Sequence, residues 1–290
     1  MIRTRFAPSP TGRLHLGHAW SALVAEARAR QGNGRFLLRI DDLDTGRVRR
    51  EYRDAIDEDL RWLGLTPDEP PVMQSQRKSH YADALERLRA DGLLYPCFCT
   101  RAQIAAELAA MGGAPHADDG TQPYPGTCRT LDKAQAAERI ARGDPHSWRI
   151  NMGRASDRTG PLTWQDERRG VITADPQMHG DVILVGRDAA FAYHLASTLD
   201  DAFMGITHVV RGADLFASTH VHRLLQALLG LPTPVYHHHA LVADADGRRL
   251  AKRHDAASIA TMRASGVDPV RLMEDMRHGT LPLGYCWAAE

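Results

Sequence analysis

Apolar positions along the first hundred residues repeat with two alternating periods, and that alternation predicts an α/β fold. Residues 3–7 read as a short strand running into the turn Pro8-Ser9-Pro10-Thr11-Gly12. Over residues 18–31, Ala19, Leu23 and Ala27, with Trp20 and Val24 beside them, fall at helical spacing, and Gly32-Asn33-Gly34 ends the helix. Residues 36–40 return to a strand. Strand, turn, helix and strand in that order open a parallel α/β unit. Helical periodicity recurs over residues 51–63 and 80–91.

The pattern then changes. Residues 97–129 are rich in Gly, Pro and Ala and hold three of the four cysteines, which reads as an insertion. A β-leaning stretch follows at residues 148–151, 160–164 and 171–173. Regular α/β is expected to return with the apolar strand 182–185, followed by a helix over 191–203, a strand over 206–210 and a helix over 219–229. A short strand follows Leu231-Pro232, and a loop spans 244–253. The tail reads as helical from about residue 256 and again over 269–277. His237, His238 and His239 sit consecutively in a predicted strand, so they point to alternating faces and do not form one three-ligand site. The division that results is a first catalytic half (residues 1–96), an insertion (97–175), a second catalytic half (176–235), and a loop with a helical tail (236–290).

Composition narrows the class without choosing a function. The chain has 290 residues, 43% apolar and 25% charged, enough for a substantial core. No run approaches the apolar length of a membrane span, and Arg3 and Arg5 near the start are not followed by a signal-like apolar run. A cytoplasmic protein is expected. Formal net charge is zero, so any nucleic-acid contact must use local patches, of which Arg47, Arg49, Arg50 and Arg53 form one and Arg248, Arg249, Lys252 and Arg253 another.

Candidate chemistry concentrates in Arg5-Phe6-Ala7-Pro8-Ser9-Pro10-Thr11-Gly12 and in His15-Leu16-Gly17-His18, which opens the first helix. A helix N-terminus presents free N–H groups and partial positive charge to an anion. Gly17 lets backbone approach a flat base, and two histidines three apart can flank phosphates from one side. A second constellation is Cys97-x-Cys99 with Tyr124-x-x-x-Cys128. Three thiols suit a metal such as zinc but fall one ligand short of a tetrahedral set, and Tyr124, His116 or water would supply the fourth.

The run from Arg5 to His18 closely resembles the class I signature of glutamyl-tRNA synthetases. Arg39-Ile40-Asp41-Asp42-Leu43-Asp44 resembles that family's Arg-Ile-Glu-Asp-x-Asp strand end, with Asp41 where the family usually has Glu. Phe191-Ala192-Tyr193-His194-Leu195-Ala196 and Val210-Arg211-Gly212-Ala213-Asp214-Leu215 match later segments. The resemblance covers about residues 3–255. It implies a class I Rossmann-like parallel sheet with a zinc-binding insertion and a short helical C-terminal part. It further implies ATP-dependent activation of L-glutamate, with magnesium (Mg2+) accompanying ATP. His15, Gly17, His18 and Lys252 would serve ATP, with His15, His18 and Lys252 catalytic. Arg5, Ser9, Asp41, Tyr193 and Arg211 would form the amino-acid pocket, with Arg5 or Arg211 as the guanidinium fork for the side-chain carboxylate.

Arg249-Leu250-Ala251-Lys252-Arg253 resembles the mobile Lys-Met-Ser-Lys-Ser loop of class I enzymes, with Arg at the first lysine and Ala at the serine. The insertion resembles the zinc-binding segment of the short paralogues, which places Cys97, Cys99, Tyr124 and Cys128 on one structural zinc ion (Zn2+). The chain ends about forty residues past Lys252, too few for an anticodon-binding domain. The expectation is therefore the short type, the glutamyl-Q tRNA(Asp) synthetases, acting as a monomer on the queuosine base of tRNA-Asp. A truncated enzyme charging the 3′ end of tRNA-Glu and a non-synthetase nucleotidyltransferase are the alternatives.

Overall fold

The computed structural model describes residues 1–110, 124–248, 250 and 258–288. The opening unit forms as the periodicity predicts, with β1 (Arg3–Phe6), α1 (Leu16–Gln31) and β2 (Arg35–Ile40). The helix starts two residues earlier than its apolar repeat because Leu16 is itself fully buried. Its inward face is Leu16, Ala19, Ala22, Leu23, Ala25 and Ala29. These small residues let α1 lie close to the strands, and Thr4 of β1 donates its hydroxyl to Ala25 O at 2.7 Å. After the helix the chain must turn back tightly. At Gly34 a Cβ would come within 1.9 Å of Ile2 O, so no larger residue fits the return.

Two groups of strands make the central sheet. β1 and β2 pair in parallel, and β2 pairs in parallel with β3 (Val72–Met73), following α2 (Arg50–Trp62). The chain continues through α3 (Lys78–Ala90), β4 (Leu94–Cys97), α4 (Arg101–Ala110), α5 (Lys133–Ala141), β5 (Ser147–Ile150) and α6 (Met152–Thr159). Next come β6 (Thr163–Asp166), β7 (Gly170–Thr173), β8 (Ile183–Val185), α7 (Tyr193–Phe203), β9 (His208–Gly212), α8 (Ser218–Leu229) and β10 (Val235–His239). The second strand group runs β7-β6-β10-β9, parallel except for the β6–β7 hairpin. β1 lies beside β9, where Thr207 N donates to Arg3 O at 3.0 Å and Arg5 Nη1 to Val210 O at 3.1 Å. Read across both groups, the order is β3-β2-β1-β9-β10-β6-β7. It reverses between β1 and β9, and ligands of open α/β sheets bind at the carboxyl ends of strands at such a reversal.

The insertion is built on its own antiparallel sheet, β4-β5-β8. β8 therefore departs from expectation: it does not resume the parallel sheet but closes the insertion by pairing with β5. A three-residue apolar strand reads the same in either setting. Conversely, β6, expected near the end of the insertion, pairs with β10 at Tyr236–Asp166 and belongs to the central sheet.

One apolar core packs α1, α2 and the tail helices α9 (Ile259–Ala264) and α10 (Pro269–Arg277) on one face of β1 and β2. Leu37, Trp164, Val209 and Tyr236 cover the other face. A third cluster joins α3, α6, α7 and α8 to the insertion sheet. The tail closes with the antiparallel pair of β11 (Val242–Asp244) and β12 (Tyr285–Trp287), where Trp287 packs on Trp20 of α1 at 4.7 Å between ring centroids. Cys286 sits in this strand pair and donates to Asp244 O, apart from the other three cysteines. No helix among the described residues is long and apolar enough to cross a membrane.

Candidate active site

A cleft of about 310 Å³ opens where the strand order reverses. Arg5, Ser9, His15, Gly17, His18, Asp41, Tyr193 and Arg211, drawn from four separate stretches of sequence, all line it. Lys252 and Arg249 lie outside the described residues, as does His116. The residues flanking Lys252 do reach the site. Leu250 lines the cleft, and Ser258 bridges to His15 while Ile259 N donates to Leu14 O at 2.8 Å.

The start of α1 forms one wall. His15 is its N-cap, with extended backbone, and its carbonyl accepts from His18 N and Ala19 N at 2.9 and 3.2 Å. His15 N donates to His18 Nδ1 at 3.1 Å, half of a capping box made with imidazole. That bond leaves the ring proton of neutral His18 on Nε2. The two rings stand 3.8 Å apart. A Cβ on Gly17 would press on the His15 ring at 3.2 Å, so glycine preserves both the ring's place and the close approach to backbone. The wall therefore offers N–H groups, a helix N-terminus and imidazoles to an anion.

The floor is a ladder of buried ions. Arg5 gives Nε and Nη2 to the two oxygens of Asp201 at 2.8 and 3.2 Å. Asp201 also accepts from Arg39 Nη1 at 2.6 Å, and Arg39 grips Asp41 with Nε and Nη2 at 2.6 and 3.2 Å. Burial pushes the Asp201 carboxyl up, but Arg5 and Arg39 together take it below the usual carboxylate range. Burial raises Asp41, with Arg39 pulling the other way. The preceding residue of α7, Asp200, is fully buried and accepts from Arg77, Gln74 and Tyr81. Asp201 and Arg39 were not among the residues singled out from sequence. Two adjacent aspartates in a helix that also carries Leu195, Ala196 and Leu199 hint at burial but do not name a partner.

Arg211 stands opposite and is held differently. It is 4% exposed, yet its partners are all neutral: His238 Nε2 at 3.1 Å, Thr219 Oγ1 at 2.6 Å, Tyr193 Oη at 3.3 Å and His222 Nδ1 at 3.2 Å. No carboxylate among the described residues pairs with it, and Asp214 does not. Burial, then the Arg211 charge, drives His238 down to about 3 and His222 well below the ordinary histidine value. His194, bonded to His222 at 3.2 Å, is pushed down to about 4, chiefly by burial. The alternation read for the triple histidine holds: His238 turns to Arg211, whereas His237 turns to Glu167.

The cysteines gather away from the cleft. The Cys97, Cys99 and Cys128 sulfur atoms lie within 4.8 Å of one another, and this cluster can hold a metal ion. Tyr124 Oη is 3.5 Å from Cys99 Sγ and accepts from Cys128 N at 2.9 Å. Four donors at these separations suit a tetrahedral ion, for which Zn–S bonds of about 2.3 Å put sulfurs nearly 4 Å apart.

The family of tRNA synthetases class I (E and Q), catalytic domain, matches residues 1–283. The chain belongs to this family. Among its relatives, the Glutamyl-Q tRNA(Asp) synthetase of Rhodobacter capsulatus is 46% identical over 271 residues, 92% of this chain and 96% of that one. The protein of the same name from Symbiobacterium thermophilum is 43% identical, over 93% of this chain and 83% of that one. Among solved structures, a glutamate tRNA ligase from Elizabethkingia meningosepticum in complex with its amino acid superposes with a TM-score of 0.78 at 28% identity. It covers 94% of this chain, which spans 60% of that longer one. The class I synthetase fold thus accounts for the reversal of strand order and for the cleft that lies at it.

Proposed function

We propose that this synthetase-family cleft joins L-glutamate to ATP as glutamyl-adenylate and then transfers glutamate to the queuosine base in the anticodon loop of tRNA-Asp. The observation that carries the reading is the match, over 96% of its length, to a relative named for that reaction. The meeting of an anion-binding helix start with a carboxylate-free arginine in one cleft supports it independently.

In the first step an oxygen of the glutamate α-carboxylate attacks the α-phosphorus of ATP, the bond to the bridging oxygen breaks, and pyrophosphate leaves. His15, His18 and the first N–H groups of α1 meet the charge that builds on the phosphoryl oxygens, so catalysis here is positioning and electrostatics. Mg2+ bound with ATP supplies further charge neutralisation. Lys252 is assigned to the same charge from its motif. Arg211 receives the side-chain carboxylate of glutamate, with Tyr193 beside it. Arg5, already committed to Asp201, shapes the floor with Ser9. Asp41 is assigned to the substrate ammonium. In the second step a hydroxyl of the queuosine cyclopentene diol attacks the acyl carbon, and AMP departs. Cys97, Cys99 and Cys128, with Tyr124, would hold a structural Zn2+, in keeping with three soft thiol donors that do not line the cleft.

Labelled glutamate with tRNA-Asp that carries or lacks queuosine tests this reading. Label should enter the queuosine-containing RNA alone and map by nuclease digestion to the anticodon loop. Label at the 3′ end of tRNA-Glu would mean a conventional charging enzyme instead.

A further inference from the structure

Arg211 poses a physical problem. A buried guanidinium costs several kcal/mol unless it is compensated, yet each of its contacts is a neutral group. The field of Asp201, whose carboxyl Arg211 helps to lower, supplies part of the compensation without contact, and a further part lies one residue beyond the neutral groups. Asp166 and His238 are both completely buried, and His238 Nδ1 meets Asp166 Oδ2 at 2.7 Å. The other oxygen of Asp166 accepts the backbone N–H groups of Arg168 and Arg169 at 2.9 and 3.0 Å, which fixes the carboxylate. With a carboxylate against Nδ1, the ring proton sits on Nδ1 and the lone pair on Nε2. That lone pair faces Arg211 Nε–H at 3.1 Å and the Thr219 hydroxyl at 3.3 Å. The order carboxylate, imidazole, guanidinium is thus consistent in every donor and acceptor.

We propose that Asp166 and His238 are positioning residues for the amino-acid subsite: Asp166 fixes the His238 tautomer, and His238 orients Arg211 while leaving its charge unpaired for the ligand carboxylate. The inference rests on the glutamate-activating reading above. A carboxylate placed directly on Arg211 would reproduce the closed Arg5–Asp201 pair and compete with the substrate. Through the imidazole, the negative charge stabilises the buried cation without occupying it. Of the five guanidinium N–H groups, Nε–H is taken by His238, two on Nη1 by Tyr193 and His222, and one on Nη2 by Thr219. The remaining Nη2 N–H, beside the Nη1 N–H shared with cleft-lining Tyr193, is left for a ligand. The low basicity of His238 agrees, since a second ring proton would point at Arg211.

The test is a set of variants in glutamate-dependent ATP–pyrophosphate exchange, with melting temperature measured alongside. Asp166→Asn puts an amide N–H against Nδ1 and shifts the ring proton to Nε2, so that Nε2–H faces Arg211 Nε–H. It should raise KM for glutamate about tenfold to a hundredfold, and KM for ATP less than about twofold. Imidazole 15N NMR should show the His238 proton move from Nδ1 to Nε2. His238→Leu removes the acceptor and should act like Asp166→Asn. His238→Gln keeps an acceptor oxygen towards Arg211 and should recover most of the glutamate affinity. An active wild type with an Asp166→Asn glutamate KM within about twofold of it, or with both KM values shifted alike, overturns the positioning role. If Asp166→Asn fails to fold, equal glutamate KM values for His238→Leu and His238→Gln overturn it. A wild type without any glutamate-dependent exchange overturns instead the functional reading beneath it.

Discussion

The cleft and the insertion secure their polar groups by opposite means. At the cleft, Arg5, Arg39 and Asp201 are buried against one another, with Asp41 half-buried beside them, on strands and a helix that large apolar clusters already fix. In the insertion, between residues 98 and 146, the buried apolar residues described are Phe98, Tyr124 and Ala136. The polar groups that meet in that segment are three sulfurs and one phenol, a set able to hold a metal ion. The contrast teaches where each kind of damage should appear. A cleft whose frame stands without its polar groups loses chemistry when they change. A segment whose frame is its polar groups loses structure.

The largest expected effect is on the chemistry. His18→Ala should lower kcat for glutamate-dependent exchange about a hundredfold or more, with melting temperature down by only a few degrees, since one capping bond is lost but the apolar face of α1 is untouched. Equal losses of melting temperature and activity would break the comparison. Next is acid. His194, His238 and His239 lie at or near the cleft, with folded-state values of about 4, 3 and 4 against roughly 6.5 unfolded. The unfolded chain therefore takes up protons first. Stability is complete above pH 6.5 and declines as pH falls towards 4, by about 1 kcal/mol per histidine at pH 5.5. Thermal melts at pH 7.5 and 5.5 should differ by several degrees, whereas a flat profile would show that these rings can charge in place.

Cys99→Ser should then abolish the metal binding proposed for the cluster and lower the melting temperature by about 5–10 °C, with residual glutamate-dependent exchange in the molecules that stay folded. Metal analysis of the wild type is the control, and an ion-free, fully stable wild type would remove the pinning role. The smallest effect sharpens the account of Arg211. Arg211→Lys keeps the charge but loses the fork and its bond to His238, so KM for glutamate should rise about tenfold. KM for ATP should stay in place, and the melting temperature should move little.

These two regions also differed in how readable they were. The anion-binding wall was legible because its chemistry is contiguous: a strand, a glycine turn and a helix start with His15, Gly17 and His18. Arg5, Ser9, Asp41, Tyr193 and Arg211 could be placed in one cleft because each belongs to a short motif. The groups that hold them were not legible. Asp201 and Asp166 act across 196 and 72 positions of chain, on Arg5 and His238 respectively, and an aspartate, alone or paired, carries no mark of such a distant partner. Of the triple histidine, alternation was readable, but the identity of what His238 meets was not. The pairing of β8 escaped for a similar reason, since an apolar triplet fits a parallel or an antiparallel neighbour equally well.

The central claim is that one cleft brings a triphosphate and glutamate together, and ATP–pyrophosphate exchange by the purified, metal-loaded protein without RNA tests it most directly. The cleft is assembled from this chain alone, so labelled pyrophosphate should enter ATP when glutamate is added and should not do so without it. Exchange indifferent to glutamate, or none from folded protein, would contradict the account.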